Sequence, residues 1–352
     1  MKSKIFFAIV VFILVGTLLA GCGSKQSPSS QQQSQQTQQT QQVQKKLKFG
    51  YICKALTNPW FIMEEYGLKK KAQELGAEVI SVDANLKDEA FMSAMDNLIA
   101  QKVDGLAVVV TNQSMGPVVA KKAQDAGIPL ITIDDEITGV PHVGMPTRQL
   151  GVDGGKELVR VAKERGFFDK GNNVMFLAID TLTVPVVHER IEGYVDGFLQ
   201  AMPDFPKEKI LRPNAKDYFY EAALAATSAV INAHPEVTHW IIASGNDDAV
   251  AAAFKVLEER KFNFKNVLGI GIGGYELALN LFKKGGDEAK AFMDWGLYPD
   301  KEGEKAVELL YDNIVNKKPI PEKTFIGGKL VNFDNWQEFF PNGELRIKTD
   351  KK

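Results

Sequence analysis

Cysteine and histidine are scarce in this chain of 352 residues. Its two cysteines, Cys22 and Cys53, cannot build a disulfide framework of the kind that stabilises small secreted domains. The four histidines are scattered, and none stands beside a cysteine or a second histidine as zinc sites require. The sequence therefore predicts neither a disulfide-rich scaffold nor a metal site.

An excess of basic residues is also absent. There are 42 lysine and arginine residues against 44 aspartate and glutamate residues, which gives a net charge of −2. A chain with this balance offers no basic surface to nucleic acid or to anionic lipid headgroups. The nucleophile motif G-x-S-x-G and the Walker phosphate-binding loop are missing as well. We therefore predict no catalytic residues, no cofactor and no nucleic-acid partner.

The first residues have the pattern of a secretion signal. Two lysines precede an apolar run of 16 residues, from Ile5 to Ala20, and the run ends in Leu19-Ala20-Gly21-Cys22. This ending resembles the lipobox of bacterial lipoproteins, in which the cysteine is lipidated and becomes the new N-terminus. We expect residues 1–22 to be a lipoprotein signal peptide, and Cys22 to anchor an extracytoplasmic protein to the bacterial cell membrane. A short membrane anchor and an ordinary signal peptide are the alternatives.

Residues 23–46 form a low-complexity segment. Between Gln31 and Gln44, ten of fourteen residues are glutamine. Such a segment has too little apolar surface to offset the entropy lost on ordering, so it predicts a disordered tether. A glutamine-rich segment that aggregates is the alternative.

From Leu47 onward, short apolar runs alternate with amphipathic helical segments. Gly105–Val110 has the composition of a strand buried on both faces, and the helix after Pro185 carries an apolar stripe at helical spacing. This alternation predicts parallel sheets with helices on both faces. Because 352 residues exceed the size at which one hydrophobic core stops growing, we predict two doubly wound α/β domains.

Polar residues follow several of the predicted strands. Lys54 comes after the first strand, Asp134 and Asp135 after the fourth, and Asn246 after a strand in the second half of the chain. Ligands of open parallel sheets bind beyond the carboxyl ends of the strands. Adjacent strand residues point to opposite faces, so the two aspartates do not predict the facing pair of a glycosidase. We interpret them as acceptors for ligand hydroxyls, with a helix cap or turn as the alternative.

A glycine-rich stretch raises a different hypothesis. Gly269, Gly271 and Gly274 satisfy G-x-G-x-x-G, and Asp294 follows 20 residues after the last of them. That spacing is typical of dinucleotide-binding sites, which makes a nucleotide-cofactor enzyme a remote alternative. The motif lies late in the chain, after most of the βα units, and not at the first turn. Close approach of a ligand or helix to the backbone is the other interpretation.

Four stretches together carry a family resemblance: KFGYICK…NPWF, AGIPLITIDDE, HPEVTHWIIASGNDDAV and VLGIGIGGYE. From about Leu47 to Trp336 the chain resembles the L-arabinose-binding proteins, type I periplasmic sugar-binding proteins that serve ABC importers. The resemblance implies capture of a monosaccharide such as arabinose, galactose or xylose in an interdomain cleft, and delivery to importer permease subunits. It also implies a monomer that is not an enzyme. Presentation of the sugar to a membrane receptor is the alternative, whereas a repressor of this fold would need an N-terminal helix-turn-helix.

The resemblance also implies roles for residues on the first domain. Lys54 is expected to donate a hydrogen bond near the sugar ring oxygen. Trp60 is expected to stack on the sugar, with Phe61 beside it in the same wall. Asp134 and Asp135 are expected to bracket the anomeric end. A charged donor and an indole would then serve the two surfaces of a sugar, its hydroxyl edge and its C–H face.

Met145 is expected to pack near the exocyclic carbon of the sugar. Arg190 and Asn246 are expected to bond hydroxyls from the second domain. The complete set of implied ligand-binding positions is Lys54, Asn58, Trp60, Phe61, Val109, Asp134, Asp135, Met145, Arg190, Asn246, Gly273 and Glu276. The implied domains are 47–145 with 296–323, and 146–295 with 324–352. Three chain crossings, near 145–146, 295–296 and 323–325, join them as a hinge.

The sequence departs from the family at four positions in or beside the expected binding site. Asn58 replaces a glutamate, Gly245 a methionine, Gly273 an asparagine that contacts the sugar, and Glu276 an aspartate. A site built around hydroxyls strongly rejects analogues that lack them. These changes are therefore expected to shift specificity between pentoses and hexoses.

Overall fold

The computed structural model describes residues 46–217 and 219–347. The predicted signal peptide with Cys22, and the predicted tether up to residue 45, lie outside these residues. Within them, no helix combines the length and the apolar character needed to cross a bilayer. The described residues form two six-stranded sheets with helices packed against them.

The strands alternate with helices along most of the chain. They are β1 (Lys48–Cys53), β2 (Glu78–Asp83), β3 (Gly105–Val108), β4 (Leu130–Ile133), β5 (His142–Gly144), β6 (Val174–Ile179), β7 (Ile210–Leu211), β8 (His239–Ser244), β9 (Val267–Gly273), β10 (Phe292–Gly296), β11 (Lys323–Phe325) and β12 (Lys329–Asn332). The first sheet has the order β11-β5-β4-β3-β1-β2 and the second β12-β10-β9-β8-β6-β7. Neighbouring strands are parallel except β10 and β12. The predicted α/β class with doubly wound parallel sheets is confirmed.

The helices connect the strands. They are α1 (Pro59–Glu74), α2 (Asp88–Ala100), α3 (Gly116–Ala126), α4 (Thr147–Glu164), α5 (Pro185–Ala201), α6 (Tyr220–Ala233), α7 (Asp247–Glu259), α8 (Glu276–Lys284), α9 (Gly286–Ala291), α10 (Pro299–Asn316) and α11 (Trp336–Phe339). Proline stands in the first turn of α1, α3, α5 and α10. At that position its missing N–H leaves no hydrogen bond unmade, and its fixed φ suits the helix. The sequence thus sets where these helices begin.

The chain passes three times between the two sheets. After β5 of the first sheet, α4 packs against α5 on the second sheet. After β10 of the second sheet, α10 returns to pack against α1 on the first. The third passage lies between β11 and β12. The expected boundary at 323–324 falls short of it, because β11 pairs with β5 through Phe325 and Gly144 and stays in the first sheet.

Both faces of each sheet are buried. Along β1, Phe49, Tyr51 and Cys53 pack with residues of α1 and α10, whereas Ile52 packs with residues of α2 and α3. The second sheet is covered by α4 and α5 on one face and by α6, α7 and α8 on the other. Burial on both faces is what the continuous apolar runs of parallel strands require. Each large apolar side chain that is fully buried contributes about 1.5–3 kcal/mol.

Helices α4 and α5 approach each other through glycines. A Cβ on Gly151 would lie 2.3 Å from the carbonyl oxygen of Arg190, and one on Gly197 would lie 1.9 Å from that of Val152. Because both distances are shorter than any non-bonded contact, only glycine allows the helices to come this close. Arg190 itself lies at this contact, so the packing fixes the position from which its side chain extends.

Candidate functional site

One cavity of about 140 Å³ is lined by residues that follow strands of both sheets. Nine of the twelve predicted positions lie on it. The lining residues are Lys54, Asn58, Trp60, Phe61, Asp134, Asp135, Val184, Val186, Val187, Arg190, Asn246, Ile272, Gly273, Tyr275 and Leu297. The strand ends of a parallel sheet lie at one edge, and the cavity lies at this edge of both sheets.

A buried ion pair forms the polar part of the first wall. Lys54 Nζ contacts Asp135 Oδ2, and the two side chains are 20% and 7% exposed. Asp134 has a φ of 58°, a left-handed conformation that turns the chain sharply after β4. This turn lets both aspartates line the cavity, although adjacent residues in a strand point to opposite faces. The ammonium group has three donors, so it can bond Asp135 and a ligand oxygen together.

Trp60 is held at two points, one on its backbone and one on its indole. Asn58 is the N-cap of α1, and its Oδ1 accepts from the backbone N–H of Trp60 at 2.9 Å. The Trp60 side chain donates from Nε1 to Asp134 Oδ2 at 2.7 Å. Asn58 therefore caps α1, a role to which asparagine before a proline is well suited, and its side chain also lines the cavity. The ring is fixed in the wall with its hydrogen-bonding edge already used.

Arg190 brings a half-buried cation to the second wall. Its Nη1 donates to the carbonyl oxygen of Gly245 at 2.7 Å, and its Nη2 lies 3.2 Å from Met145 Sδ. Its Nε makes no hydrogen bond to any other described residue. Burial lowers the pKa of Arg190, while the charge of Asp134 acts in the opposite direction. The guanidinium of Arg190 therefore has N–H groups that are not yet used. It can donate one of them to a ligand hydroxyl without changing its position.

Asn246 and the glycine turn after β9 complete the second wall. Asn246 caps α7, because its Oδ1 accepts from the backbone N–H of Ala249 at 3.1 Å. Gly273 and Gly274 both have positive φ, at 156° and 78°. The N–H of Gly274 donates to Asp247 Oδ2 at 3.1 Å. The backbone at this turn is therefore held by the first turn of α7.

Three predicted positions do not line this cavity. Val109 is fully buried in the core of the first sheet. Met145 contacts Arg190 but lines a neighbouring, larger cavity of about 690 Å³. Glu276 is exposed at the start of α8. Tyr275, directly before it, lines the cavity instead, and its place at a strand end is the signal that could have indicated it.

The other apolar lining residues were not predicted from the sequence. They are Val184, Val186, Val187, Ile272 and Leu297. Their composition does not distinguish them from core residues, so no sequence signal marks them.

Two further carboxyl groups are buried behind the first wall. These groups, those of Glu64 and Glu302, lie near that of Asp134 and interact with it. A hydrogen bond between two carboxyl groups requires a proton on one of them. Burial, and then the charge of Asp134, raises the pKa of Glu64 and of Glu302 well above the usual range. The two glutamates can thus donate to Asp134 while it accepts from Trp60.

The glycine-rich motif differs from a dinucleotide-binding turn. Gly269 and Gly271 lie inside β9, where a Cβ would meet the ring of Phe254 at 2.7 Å and Asp247 Oδ1 at 2.4 Å. The glycines therefore allow α7 to pack closely on the strand. Asp294 is fully buried beside Asp247, so its carboxyl group cannot reach a ribose.

A cluster outside the cavity has ligand atoms at metal-binding spacing. It consists of Asp180, His188 and Glu192. The guanidinium of Arg212 contacts Glu192 and lies 2.8 Å from Asp180 Oδ2. Because a cation of the protein already bridges the two carboxylates, we interpret the cluster as an ion-pair network.

The fold and this cavity define a class of protein, a binding protein with its site between two α/β units. The family model described as periplasmic binding protein domain matches residues 49–318. The chain belongs to this family, and the predicted resemblance to its L-arabinose-binding, type I members is confirmed.

Individual relatives agree with this assignment. The chain is 29% identical to the L-arabinose-binding periplasmic protein of Escherichia coli (strain K12) over 304 residues, which covers 84% of this chain and 90% of that protein. It is 27% identical to the ABC transporter L-arabinose-binding periplasmic protein of Azospirillum brasilense over 300 residues, 83% of this chain and 88% of the other. An ABC transporter periplasmic solute binding protein from Actinobacillus succinogenes 130z with bound D-allose has the same fold. Its TM-score is 0.66 at 24% identity, with coverage of 83% of this chain and 100% of that one.

Proposed function

We propose that this chain captures a monosaccharide in the cavity between its two sheets and delivers it, outside the cytoplasm, to an ABC importer. The observation that carries the proposal is the meeting of Lys54, Asp135, Arg190 and the Trp60 indole on one cavity. A sugar has hydroxyl edges and C–H faces, so its recognition needs charged donors and an aromatic surface together. The names of the relatives, which specify L-arabinose and D-allose, support this class of ligand.

In this proposal each group has a defined contact. Lys54 and Arg190 donate to ligand hydroxyls, and Asp134 and Asp135 accept from them. Hydrogen bonds to charged groups contribute about 1.5–3 kcal/mol each, against about 1 kcal/mol for neutral pairs. Trp60 covers one C–H face of the sugar ring. Because the cations and carboxylates neutralise one another, a neutral ligand completes the site without leaving a buried charge unpaired.

We further propose that the two sheets with their helices act as two domains that close on the sugar. The first comprises residues 46–145 with 296–325, and the second comprises the rest of the described chain. Closure around a ligand would exclude water from the polar contacts and strengthen them. The protein is expected to act as a monomer.

A thermal-shift screen with a panel of monosaccharides tests the proposal directly. A ligand present at 100 times its dissociation constant stabilises the folded state by about 2.7 kcal/mol. We expect at least one pentose or hexose to raise the melting temperature, and sugar acids and amino acids to leave it unchanged. A panel in which no neutral monosaccharide shifts the melting temperature would contradict the proposed ligand class.

Calorimetry with the best sugar then tests the site. Trp60→Ala and Arg190→Ala are each expected to weaken binding by about tenfold or more, because each removes a contact worth more than 1.4 kcal/mol. Arg160→Ala is the matched control, since Arg160 is exposed and pairs only with glutamates of its own helix. If both site variants bind the sugar as tightly as the control does, the cavity is not the binding site.

The membrane anchor is a separate proposal. We propose that Cys22 carries the lipid that holds the protein at the membrane. Cys22→Ala is expected to release the protein from the membrane fraction while its sugar affinity stays unchanged. Retention of Cys22→Ala in that fraction would show that another segment provides the anchor.

A further inference from the structure

Tyr275 occupies the space beside the glycine turn where a side chain at position 273 would lie. A Cβ built on Gly273 would be 2.5 Å from Cε1 and 3.0 Å from Cδ1 of Tyr275, and 2.8 Å from Asp247 Oδ2. Position 273 also has a φ of 156°, which L-residues with side chains rarely adopt. Glycine at 273 and the tyrosine ring at 275 are therefore two parts of one arrangement.

The ring of Tyr275 is held in place by its hydroxyl group. That hydroxyl donates to Asp248 Oδ2 at 3.2 Å. Burial, and then the charges of Asp247 and Asp248, raises the pKa of Tyr275 well above the usual range, so the group stays a neutral donor. With its donor used by Asp248, the tyrosine presents its ring to the cavity.

The polar and apolar parts of the cavity are therefore unevenly distributed. The second-sheet wall has polar side chains at Arg190 and Asn246, whereas Tyr275 lies with Ile272 and Leu297 among its apolar residues. No side chain reaches out from Gly273 to bond a ligand hydroxyl. A hydroxyl directed at this part of the wall would lose its water and gain no partner, at a cost of roughly tenfold or more in affinity.

We propose that Tyr275 determines ligand specificity, by giving the cavity an apolar wall that selects monosaccharides with C–H groups, and no hydroxyl, facing the glycine turn. This inference rests on the proposed sugar-binding function. It names the class of ligand more narrowly: a sugar that lacks the hydroxyl at that edge, either as a deoxy sugar or through its stereochemistry.

The test measures a ratio of affinities. Calorimetry would compare the best sugar of the screen with its singly deoxygenated analogues. For the wild-type protein, we expect one analogue to bind as tightly as the parent sugar or more tightly, and the others to bind at least about tenfold more weakly. In Tyr275→Asn, a polar side chain replaces the ring. The affinity of the tightly binding analogue, relative to that of the parent sugar, is then expected to fall by about tenfold. Tyr275→Phe is expected to keep the wild-type ratio, and the exposed Tyr66→Ala serves as the control.

A double-mutant cycle gives a second readout if Tyr275→Asn does not fold. Gly273→Ala alone must displace the ring, and we expect a loss of affinity of about tenfold or more. The Tyr275→Ala variant has no ring at this place. In that variant, adding Gly273→Ala is expected to reduce sugar affinity clearly less than it does in the wild type. Additive effects in the cycle, or an unchanged ratio in Tyr275→Asn, would overturn the inference. If the Tyr275 inference fails but Trp60→Ala still abolishes sugar binding, the proposed sugar-binding function stands. Failure of the inference and failure of the proposed function are therefore distinguishable.

Discussion

Two aspartates buried below the glycine turn allow a quantitative prediction. Asp247 begins α7 and Asp294 lies in β10, and their side chains are almost completely buried. Their carboxyl groups interact closely and are shielded from water, which favours a proton held between them. Asp247 also accepts from the N–H of Gly274. Within the described residues, neither oxygen of Asp294 receives a hydrogen bond from another donor.

The sign of the pH effect follows from the direction of these pKa shifts. Burial raises the pKa of Asp247 from 3.8 to about 6, and burial together with the charge of Asp247 raises that of Asp294 well above 3.8. A group with a raised pKa binds its proton more tightly in the folded state. The folded state is therefore favoured most at low pH, and this contribution is lost as the pH rises from about 4 to above 6. For Asp247 alone, the rise of the pKa from 3.8 to about 6 corresponds to roughly 3 kcal/mol.

Asp294→Asn is expected to remove much of this loss. The amide can donate to Asp247 without a shared proton, and it carries no charge that has to be buried. We expect the variant to be more stable than the wild type at pH 8, by about 1–3 kcal/mol, and to have a smaller difference in stability between pH 5 and pH 8. Sugar affinity is expected to change little, because Asp294 does not line the cavity.

Urea unfolding of the ligand-free protein, followed by tryptophan fluorescence at pH 5 and pH 8, measures the effect. Both the midpoint and the slope m are needed, because a change in m would indicate a loss of two-state behaviour. Asp125→Asn is the control, since Asp125 is an exposed aspartate on α3. If Asp294→Asn is less stable than the wild type at pH 8, the two carboxyl groups do not share a proton and the reasoning is refuted.

Two predictions concern packing away from the cavity. Gly197→Ala places a Cβ 1.9 Å from the carbonyl oxygen of Val152, and the forced separation of α4 and α5 is expected to cost about 1–3 kcal/mol in urea unfolding. Gly327→Ala, where nothing lies within 4 Å of the new Cβ, is its control, and equal stability of the two variants would contradict the assigned helix contact. Arg346 donates to both oxygens of the buried Asp300, at 2.9 and 3.1 Å, so Arg346→Ala is expected to lower the unfolding free energy by about 1–3 kcal/mol by leaving that carboxylate unpaired. Arg346→Lys should recover part of the lost unfolding free energy. An Arg346→Ala variant as stable as the wild type would show that water satisfies the Asp300 carboxylate.

Much of the fold could be predicted because local patterns and topology agree. Apolar runs such as Gly105–Val110 have the character that parallel strands need on both faces. A proline such as Pro185 marks where a helix begins. The boundary after β11 could not be predicted to the residue, because it depends on the pairing of Phe325 with Gly144, which is 181 residues earlier in the chain.

The sequence by itself determined which residues stand at the carboxyl ends of strands, and those ends meet at one edge of a parallel sheet. Lys54 and Asp134, which follow β1 and β4, both line the cavity. Tertiary structure alone decided which side chain of the glycine turn enters the cavity. Tyr275 does so and Glu276 does not, because successive side chains at the start of a helix point in different directions and the cap geometry selects one of them. The tertiary structure also decided that Asp294 lies beside Asp247. Their burial and their contact depend on how β10 packs beside α7, and no local sequence pattern indicates that packing.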